Sequence, residues 1–362
     1  MKIDRRDLHD ALLVLAKVAD PKSSLPILGD VLLEVNDEKA TLRTTDLNSH
    51  LIMSLPVSGD LDADLVTAMV DVKKLEATVK PDANAGMELA EIDLVLEGDK
   101  LVAVVDDMRV KLPVRKTDVD FPAPPPTTKW KSHTTWATAD LGARMDYVLP
   151  AVCTDMTRPH IATLAFVGDR IVGTDGHRLH TMPTPGNGKP TKFKNPILIT
   201  RKAAEQLRCV LKCGDHATVL EHKEHVRFVV DGFEFTTKKF DGKYPEVDQV
   251  ICKQQSVATV DAEMLAKMLK KLDSICKAVA VKMVVNGAIE LSVEAGDDSA
   301  AVKAEVLMSY SHEESMTAVN PAYLADALKK SGAVELTIGA PMDPIRIDGD
   351  DGRLAIVMPC RQ

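Results

Sequence analysis

Residues 4–19 read DRRDLHDALLVLAKVA, and this stretch sets the pattern for the whole chain. Leu8, Leu12 and Leu15 recur at a spacing that places apolar side chains on one face of a helix. Asp4 stands directly before this run, where its carboxylate can cap the first turn. The stretch therefore predicts an amphipathic helix whose leucines face a protein core.

The same order of elements appears three times along the sequence. Two further amphipathic stretches follow, TADLGARMDYVLPAV at 138–152 and DAEMLAKMLKKLDSIC at 261–276. After each helix the sequence predicts a β-hairpin, with the Asn286-Gly287 turn as its strongest signal. Second helices are predicted at 71–80, 200–212 and 320–331, and alternating strands close each unit. A repeat of this size predicts three similar domains.

Two stretches without periodicity separate the repeats. DVDFPAPPPTTKW, at 118–130, is rich in proline and is typical of a linker, and FDGKYPEVDQV, at 240–250, ends the second repeat in a similar way. We place the domains at 1–125, 126–253 and 254–362. Two helices packed on antiparallel strands, three times over, is an α+β architecture.

Composition limits the class of protein. The chain has 362 residues, 45% of them hydrophobic but only 4% aromatic, so its cores are expected to consist of Leu, Val, Ala, Ile and Met. No apolar run reaches the ~20 residues that a membrane-spanning helix needs. The charged N-terminal stretch MKIDRRDLHD lacks the apolar segment of a signal peptide. We expect a cytoplasmic protein without a membrane partner.

The six cysteines lack paired spacing, which favours reduced thiols over a disulfide framework. Cys209 and Cys213 are four residues apart, and His216 lies nearby, so a metal site at this helix is one interpretation. The other interpretation is that both cysteines are small buried hydrophobic residues. We expect the latter, with no metal and no cofactor.

Charge is distributed unevenly along the sequence. The net charge is −9, which by itself argues against a nucleic-acid partner. The predicted helices nevertheless carry more basic than acidic residues, whereas the rest of the chain is acidic. One interpretation is that the lysines and arginines are ordinary solvated residues. The other is that the helices form a basic surface that contacts phosphates without reading bases, since few aromatic residues are available for stacking.

Several motifs along the chain resemble those of one family, the bacterial DNA polymerase III beta subunit, or sliding clamp. They are LPILGDVLLEV, TTDLN, TDGHRLH, FDGKYPEVDQVI, NPAYLADALK and the terminal IVMPCRQ. The resemblance implies a DNA clamp fold of three repeated domains. It further implies that two chains join head to tail as a homodimeric ring whose helices line the hole and whose sheets lie outside.

The resemblance also implies function and partners. Family members encircle double-stranded DNA without sequence preference and catalyse nothing themselves. They tether the DNA polymerase III catalytic subunit, and they bind the clamp loader and other clamp-binding proteins through short peptide motifs. The residues matching the family's DNA contacts are Lys73, Lys74, Arg158, Arg201 and Lys202.

By the same resemblance, the TDGHRL turn borders an apolar groove for peptides with hydrophobic anchors. The residues matching this groove are Ile161, Thr174, Gly176, His177, Arg178, Leu179, Pro245, Val250, Asn320, Tyr323, Pro344, Val357, Met358, Pro359, Cys360 and Arg361. His177 and Arg178 are expected to donate hydrogen bonds to the peptide. The chain departs from many relatives at Gln249, Ala278, Cys360 and Gln362, which predicts a shallower groove with different partner preference.

Two other functions remain as alternatives. The first is an enzyme that uses Asp175 and His177 with Cys153 or Cys360, but the sequence contains no nucleophile elbow, phosphate-binding glycine loop or zinc-helix motif. The second is a protein-only scaffold that binds short peptide motifs without encircling DNA.

Overall fold

The structure is a computed structural model, and it describes residues 1–36, 39–59, 67–81, 91–105, 108–115, 121–125, 128–186, 188–251, 257–275, 280–285, 288–295, 298–304, 307–310, 315–329 and 331–360. The Asn286-Gly287 turn, Ala278, Arg361 and Gln362 lie outside these residues. No helix in the described ranges is long and apolar enough to cross a membrane.

The helices and strands follow one order three times. The first repeat contains β1 (Lys2–Asp4), α1 (Arg5–Val18), β2 (Asp30–Asn36), β3 (Lys39–Thr45), β4 (Ser49–Pro56), β5 (Thr67–Asp71), α2 (Val72–Val79), β6 (Glu91–Glu97), β7 (Lys100–Val105) and β8 (Met108–Pro113). The second repeat contains β9 (Lys131–Ala137), α3 (Thr138–Val148), β10 (Thr163–Gly168), β11 (Arg170–Thr174), β12 (Arg178–Pro183), β13 (Phe193–Thr200), α4 (Arg201–Val210), β14 (His216–Glu221), β15 (His225–Val230) and β16 (Phe233–Lys238).

The third repeat has one additional strand between its helices. It contains β17 (Val257–Asp261), α5 (Ala262–Ile275), β18 (Val281–Val285), β19 (Ile289–Ala295), β20 (Asp298–Ala304), β21 (Leu307–Tyr310), β22 (Ser315–Val319), α6 (Pro321–Ala327), β23 (Ala333–Thr337), β24 (Ile345–Gly349) and β25 (Leu354–Val357). The α+β class and the repeated order of elements are therefore confirmed.

Helix caps explain why the helices begin where the sequence predicts. The Asp4 carboxylate accepts a hydrogen bond from the backbone N–H of Arg6 at 2.9 Å, and Asp71 accepts one from Lys74 at 2.9 Å. Asn320 caps α6 in the same way. Each cap satisfies backbone donors that have no partner within the helix.

The helices predicted over 200–212 and 320–331 end early, at Val210 and Ala327. Two further boundaries differ at 3₁₀ turns that contain proline. The first strand of the first predicted hairpin, ILGDVLLEV at 27–35, begins only at Asp30, because Pro26–Gly29 forms a 3₁₀ turn. The helix expected over 138–152 ends at Val148, and Leu149–Ala151 forms another 3₁₀ turn around Pro150. Proline lacks the backbone N–H that would continue either the strand ladder or the helix.

The described chain divides into two compact units. The first consists of residues 1–139 and 205–239, and the second of residues 140–204 and 240–362. The first unit holds an eight-stranded sheet, β5-β2-β3-β4-β16-β15-β14-β9, and a four-stranded sheet, β1-β6-β7-β8. The second holds a nine-stranded sheet, β13-β10-β11-β12-β25-β24-β23-β17-β21, and a four-stranded sheet, β20-β19-β18-β22. The domain boundaries near residues 125 and 253 remain predictions.

Each large sheet joins strands from two consecutive repeats. In the first unit β4 pairs antiparallel with β16, with Ser49 opposite Thr237. In the second unit β12 pairs antiparallel with β25, with Arg178 opposite Val357. We call these pairings, with the residues around them, the first junction and the second junction. They use equivalent strands, since β4 and β12 are the third strands after the first helix and β16 and β25 are the last strands of their repeats.

Aliphatic side chains form the cores, as the composition predicts. Leu8, Leu12 and Leu15 of α1 are fully buried, and α3 buries Leu141 and Met145 in the same way. Fully burying one such side chain stabilises the fold by about 2 kcal/mol relative to leaving it exposed. The apolar stripe that defines each helix in the sequence is therefore also what attaches the helix to its sheet.

The second repeat buries a histidine where the first repeat buries a leucine. His180, the third residue of β12, is fully buried, whereas Leu51 occupies the third position of β4. The His180 ring donates from Nδ1 to the carbonyl of Tyr147 at 2.8 Å and stacks on the Tyr147 ring at 4.9 Å. Its Nε2 has no hydrogen-bond partner within the described residues. Burial lowers the pKa of His180 from 6.5 to about 4, because a proton on Nε2 would have no acceptor.

We expect His180 to make folding stability pH-dependent. Between pH 6.5 and about 4 the unfolded chain binds a proton at this residue and the folded chain does not, so stability falls as the pH is lowered through this window. The slope for one such group is about 1.4 kcal/mol per pH unit. Calorimetric melting of the wild type and of His180→Leu between pH 7.5 and 4.5 measures the contribution of His180 to this pH dependence. The variant should lose less stability on acidification than the wild type, and exposed His160→Leu should match the wild type. Parallel curves for wild type and His180→Leu would contradict the assignment.

Candidate peptide groove and phosphate contacts

The TDGHR stretch forms a tight turn between β11 and β12. The Asp175 carboxylate accepts hydrogen bonds from the backbone N–H groups of His177 at 2.9 Å and Arg178 at 3.0 Å. The Thr174 hydroxyl donates to the Arg178 carbonyl at 2.6 Å. Gly176 has a φ of +91°, which favours glycine. Asp175 is therefore a turn-forming residue, and its contact with His177 is to the backbone.

The preceding glycine is required for a different reason. A Cβ atom at Gly173 would lie 2.7 Å from Val152 Cγ2 and 2.9 Å from the carbonyl oxygen of Val148. Strand β11 therefore packs so closely against the end of α3 that there is no room for a side chain at position 173. This close approach places the turn beside the 3₁₀ segment Leu149–Ala151.

The first repeat contains the same turn between β3 and β4. Asp46 accepts from the backbone N–H of Ser49 at 2.7 Å, and the Thr45 hydroxyl donates to the Ser49 carbonyl at 2.8 Å. Leu47 has a φ of +74° at the position of Gly176. The Thr-Asp pair in TTDLN and TDGHR thus makes one turn at each junction, which explains these motifs without any catalytic role.

Arg178 is held by a dense set of contacts, and its side chain is 11% exposed. Its Nε donates to Asp175 Oδ2 at 3.0 Å, and one terminal nitrogen donates to Asp326 Oδ2 at 2.7 Å. The other terminal nitrogen donates to the Pro150 carbonyl at 2.5 Å. The guanidinium carbon lies 4.3 Å from the centre of the Tyr323 ring. Arg178 therefore connects the turn, the end of α3 and helix α6.

The C-terminal segment passes beside this turn. The Met358 N–H donates to the His177 carbonyl at 2.9 Å, and the Cys360 N–H donates to the Ala318 carbonyl at 2.7 Å. Pro359 forms an isolated β-bridge with Val319. The segment 357–360 thus lies between the turn and strand β22.

The remaining groove residues lie on elements that adjoin this segment. Leu179 belongs to an apolar cluster with Tyr244 and Ile356, against which Val247 and Ile251 pack. The linker that carries Pro245 and Val250 is therefore anchored on the sheet, and Val250 remains 48% exposed.

Two further residues assigned to the groove, Ile161 and Pro344, are placed by neighbouring elements. Ile161 packs with Cys153 and Ala162 in a small cluster. Pro344 directly precedes Ile345 of β24, which pairs with Val357. Arg361 lies outside the described residues.

The basic residues assigned to DNA differ in their surroundings. Lys73 and Lys74 are exposed in the first turn of α2, and Lys202 is exposed in the first turn of α4. Arg201 donates to the carbonyls of Leu149, at 3.0 Å, and of Val152. Arg201 therefore joins the start of α4 to the end of α3.

Arg158 is also engaged within the protein. Its guanidinium contacts the Asp175 carbonyl at 3.0 Å, the Asp155 carboxylate at 3.4 Å and the Cys153 sulfur at 3.3 Å. Arg158 therefore fixes the loop after α3 against the turn. The Cys153 side chain is buried, at 2% exposure, beneath this contact.

Cys209 lies near the end of α4 and Cys213 in the 3₁₀ turn that follows, and both are only partly buried, so the expectation of two buried residues is not met. Cys213 Sγ lies 3.9 Å from the Cys209 carbonyl, and burial raises the pKa of the Cys213 thiol to about 11. A thiol with a raised pKa is a poor metal ligand, since metals bind the thiolate. No cluster of three metal-ligating side chains occurs in the part of the chain that the structure describes.

Sequence reasoning missed Asp326, which the structure places against Arg178. The two residues are 148 positions apart, so local pattern gives no indication of their contact. The only local signal is that Asp326 follows Tyr323 by three residues and so shares its face of α6.

Substitutions at the positive-φ position of the two equivalent turns should change stability in opposite directions. Gly176→Ala should destabilise the second unit by about 1 kcal/mol, because an L-residue is strained at positive φ. Leu47→Gly should relieve similar strain in the first unit and stabilise it. Gly332→Ala is the matched control, since its Cβ would meet no atom within 4 Å and its φ is ordinary. Thermal melting measures all three, and equal melting temperatures for the Gly176 and Gly332 variants would contradict the assignment.

Comparison with known proteins gives similarity over the whole chain. No family model matches the sequence. The chain is 27% identical to the beta sliding clamp of Caulobacter vibrioides (strain NA1000 / CB15N), covering 100% of this chain and 99% of the relative. It is 25% identical to the beta sliding clamp of Escherichia coli K12, covering 99% of both chains.

Solved structures agree with this similarity. The sliding clamp of Pseudomonas aeruginosa bound to griselimycin superposes with a TM-score of 0.88 at 21% identity, covering 100% of this chain and 99% of that chain. The DNA polymerase III beta subunit of Thermotoga maritima superposes with a TM-score of 0.88 at 22% identity, with the same coverage. The chain therefore has the fold of the DNA polymerase III beta subunit and resembles the beta sliding clamps over its whole length.

Proposed function

We propose that this chain is a DNA polymerase processivity factor. Two copies form a ring that encircles duplex DNA in the cytoplasm, and a peptide groove tethers the DNA polymerase III catalytic subunit, the clamp loader and other replication and repair proteins. The ring itself is not catalytic. Similarity to beta sliding clamps over 100% of the chain is the observation that carries the proposal.

The sheet topology supports a head-to-tail dimer. At the first junction the third strand of the first repeat, β4, meets the last strand of the second repeat, β16. At the second junction β12 meets β25 in the same way. One such pair is left over, namely β20 of the third repeat and β8 of the first. Among the described residues each is the edge of a four-stranded sheet.

Pairing β20 of one copy with β8 of a second copy repeats the rule of both junctions. Open strand edges present unpaired N–H and C=O groups that favour such pairing. The contact is heterologous, and two such contacts close a ring of two copies and six repeats. Because β20 and β8 hold the same positions in their repeats as the strands of the two junctions, the dimer interface would be of the same kind as those junctions.

A closed ring changes what DNA binding requires. Dissociation needs a protein interface to open, so weak contacts between lysines and phosphates are sufficient and permit sliding. Lys73, Lys74 and Lys202 are exposed and suit this role. Because phosphates carry no sequence information, the ring binds duplexes of any sequence.

The groove suits short peptides with apolar anchors. Val250 and Met358 are 48% and 39% exposed, although large apolar side chains are usually covered. The segment 357–360 is fixed beside β22 at the groove's edge, because the N–H groups of Met358 and Cys360 bond to the His177 and Ala318 carbonyls. An apolar surface with a few polar groups at its rim is typical of peptide-binding sites.

A topological test separates the ring from a protein-only scaffold. The chain is loaded onto nicked circular duplex DNA with a purified bacterial clamp loader, and the circle is then cut once. Retention on the circle followed by release after cutting is expected, because a ring slides off free ends. Blocking both ends with streptavidin should restore retention. Failure to be retained on the circle, or persistence on unblocked linear DNA, would contradict encirclement.

The dimer contact is tested by proline in β8. Consecutive residues of an antiparallel strand direct their N–H groups to opposite sides. Of Val110→Pro and Lys111→Pro, one should disrupt pairing with β7 and lower the melting temperature. The other should leave melting unchanged and reduce the solution mass to the 39.4 kDa of one chain. A wild type that is monomeric, or two variants that both stay dimeric with unchanged melting, would contradict the pairing.

A further inference from the structure

The two junctions share one turn but connect it differently to the following helix. Gln206 and Asp326 are the sixth residues of α4 and α6. At the first junction the Gln206 amide donates directly to Asp46 Oδ2 at 3.1 Å. Both residues are buried, at 4% and 8% exposure. One hydrogen bond therefore holds the helix close against the first turn.

At the second junction the equivalent residues are both acidic. Asp175 and Asp326 cannot bond to each other as carboxylates, and two partly buried like charges repel. Arg178 lies between them, with Nε on Asp175 at 3.0 Å and a terminal nitrogen on Asp326 at 2.7 Å. The corresponding residue of the first turn is Ser49, which is too short for such a bridge.

At the second junction, two hydrogen bonds and a guanidinium group separate the turn aspartate from the helix residue. At the first junction, a single hydrogen bond joins the corresponding residues. The Tyr323 ring lies over the flat face of the Arg178 guanidinium, whose carbon is 4.3 Å from the centre of the ring. The planar, doubly hydrogen-bonded geometry suits arginine and is not reproduced by lysine. Arg178 is thus fixed within the protein, and its donors toward Asp175, Asp326 and Pro150 are occupied.

We propose that Arg178 is a spacer that holds α6 away from the second turn, and that Asp326 is a positioning residue of the peptide groove. In this arrangement the groove exists at the second junction because an Asp-Arg-Asp bridge replaces the direct Asp-Gln bond of the first. Arg178 shapes the site and presents Tyr323, and it does not bind peptide itself. This inference rests on the proposed function, since it assumes that the groove binds a ligand.

The test converts the second junction to the pattern of the first. The double variant Arg178→Ser/Asp326→Gln carries the residues found at positions 49 and 206. Griselimycin, the compound bound in the Pseudomonas aeruginosa and Bartonella birtlesii clamp crystals, is the probe. Calorimetric titration gives its affinity, and melting gives the stability. Glu263→Gln, which removes an exposed ion pair with Lys267 on α5, is the control.

The double variant should melt within about 3 °C of the wild type, because a neutral direct bond replaces the charged bridge. It should nevertheless bind griselimycin at least about tenfold more weakly, a loss of about 1.4 kcal/mol. Asp326→Glu should retain affinity within about threefold, since its carboxylate still reaches the guanidinium. A residue that only stabilised the fold would lose affinity together with melting temperature.

The possible results distinguish the spacer inference from the proposed function. A wild type that does not bind griselimycin overturns this inference, which needs a site that takes the ligand of the related clamps, and leaves the topological test of the ring unaffected. If the wild type binds and the stable double variant binds equally well, the spacer inference is wrong. Should the double variant melt far below the wild type, Asp326→Asn decides: weaker binding at unchanged melting supports the inference, and unchanged binding overturns it.

Discussion

Backbone hydrogen bonds along β4·β16 and β12·β25 carry each large sheet from one repeat into the next. A four-stranded half-sheet leaves an open edge, and an open edge has to be paired, covered or protected by charge. The chain solves this problem by pairing equivalent strands at successive junctions. This pairing constrains the turns before β4 and β12, because each turn sets the position at which its strand pairs with a strand of the next repeat.

The register at each junction depends on a few polar residues. Asp46 and Asp175 cap the turns through backbone N–H groups, which fixes where β4 and β12 begin. A shift of one residue would exchange the buried and exposed faces of the strand. His180 and Leu51, both fully buried at the third strand position, show that the register is the same although the residue types differ.

The sequence predicted the fold well because its signals are local. Helix stripes and the caps Asp4 and Asp71 set the helix starts. Several other boundaries differ from the prediction, two of them at 3₁₀ turns that contain proline. The site was less predictable. The residues around the turn could be named from motifs, but Arg178 contacts Asp326 across 148 positions, so its engagement could not be seen in the sequence. Arg158 and Arg201 likewise contact backbone carbonyls, which leave no trace in residue type.

Among the described residues, β8 and β20 are the two edge strands that continue the pairing of the junctions, and they belong to different repeats. In a two-copy assembly built from them, every subunit contributes one edge of each kind, so the two seams are identical and independent. A subunit damaged only in β8 spoils one seam of a mixed assembly and leaves the other whole. In such an assembly the two copies would stay joined at one seam while the other is open, so that an enclosed duplex could leave without the copies separating.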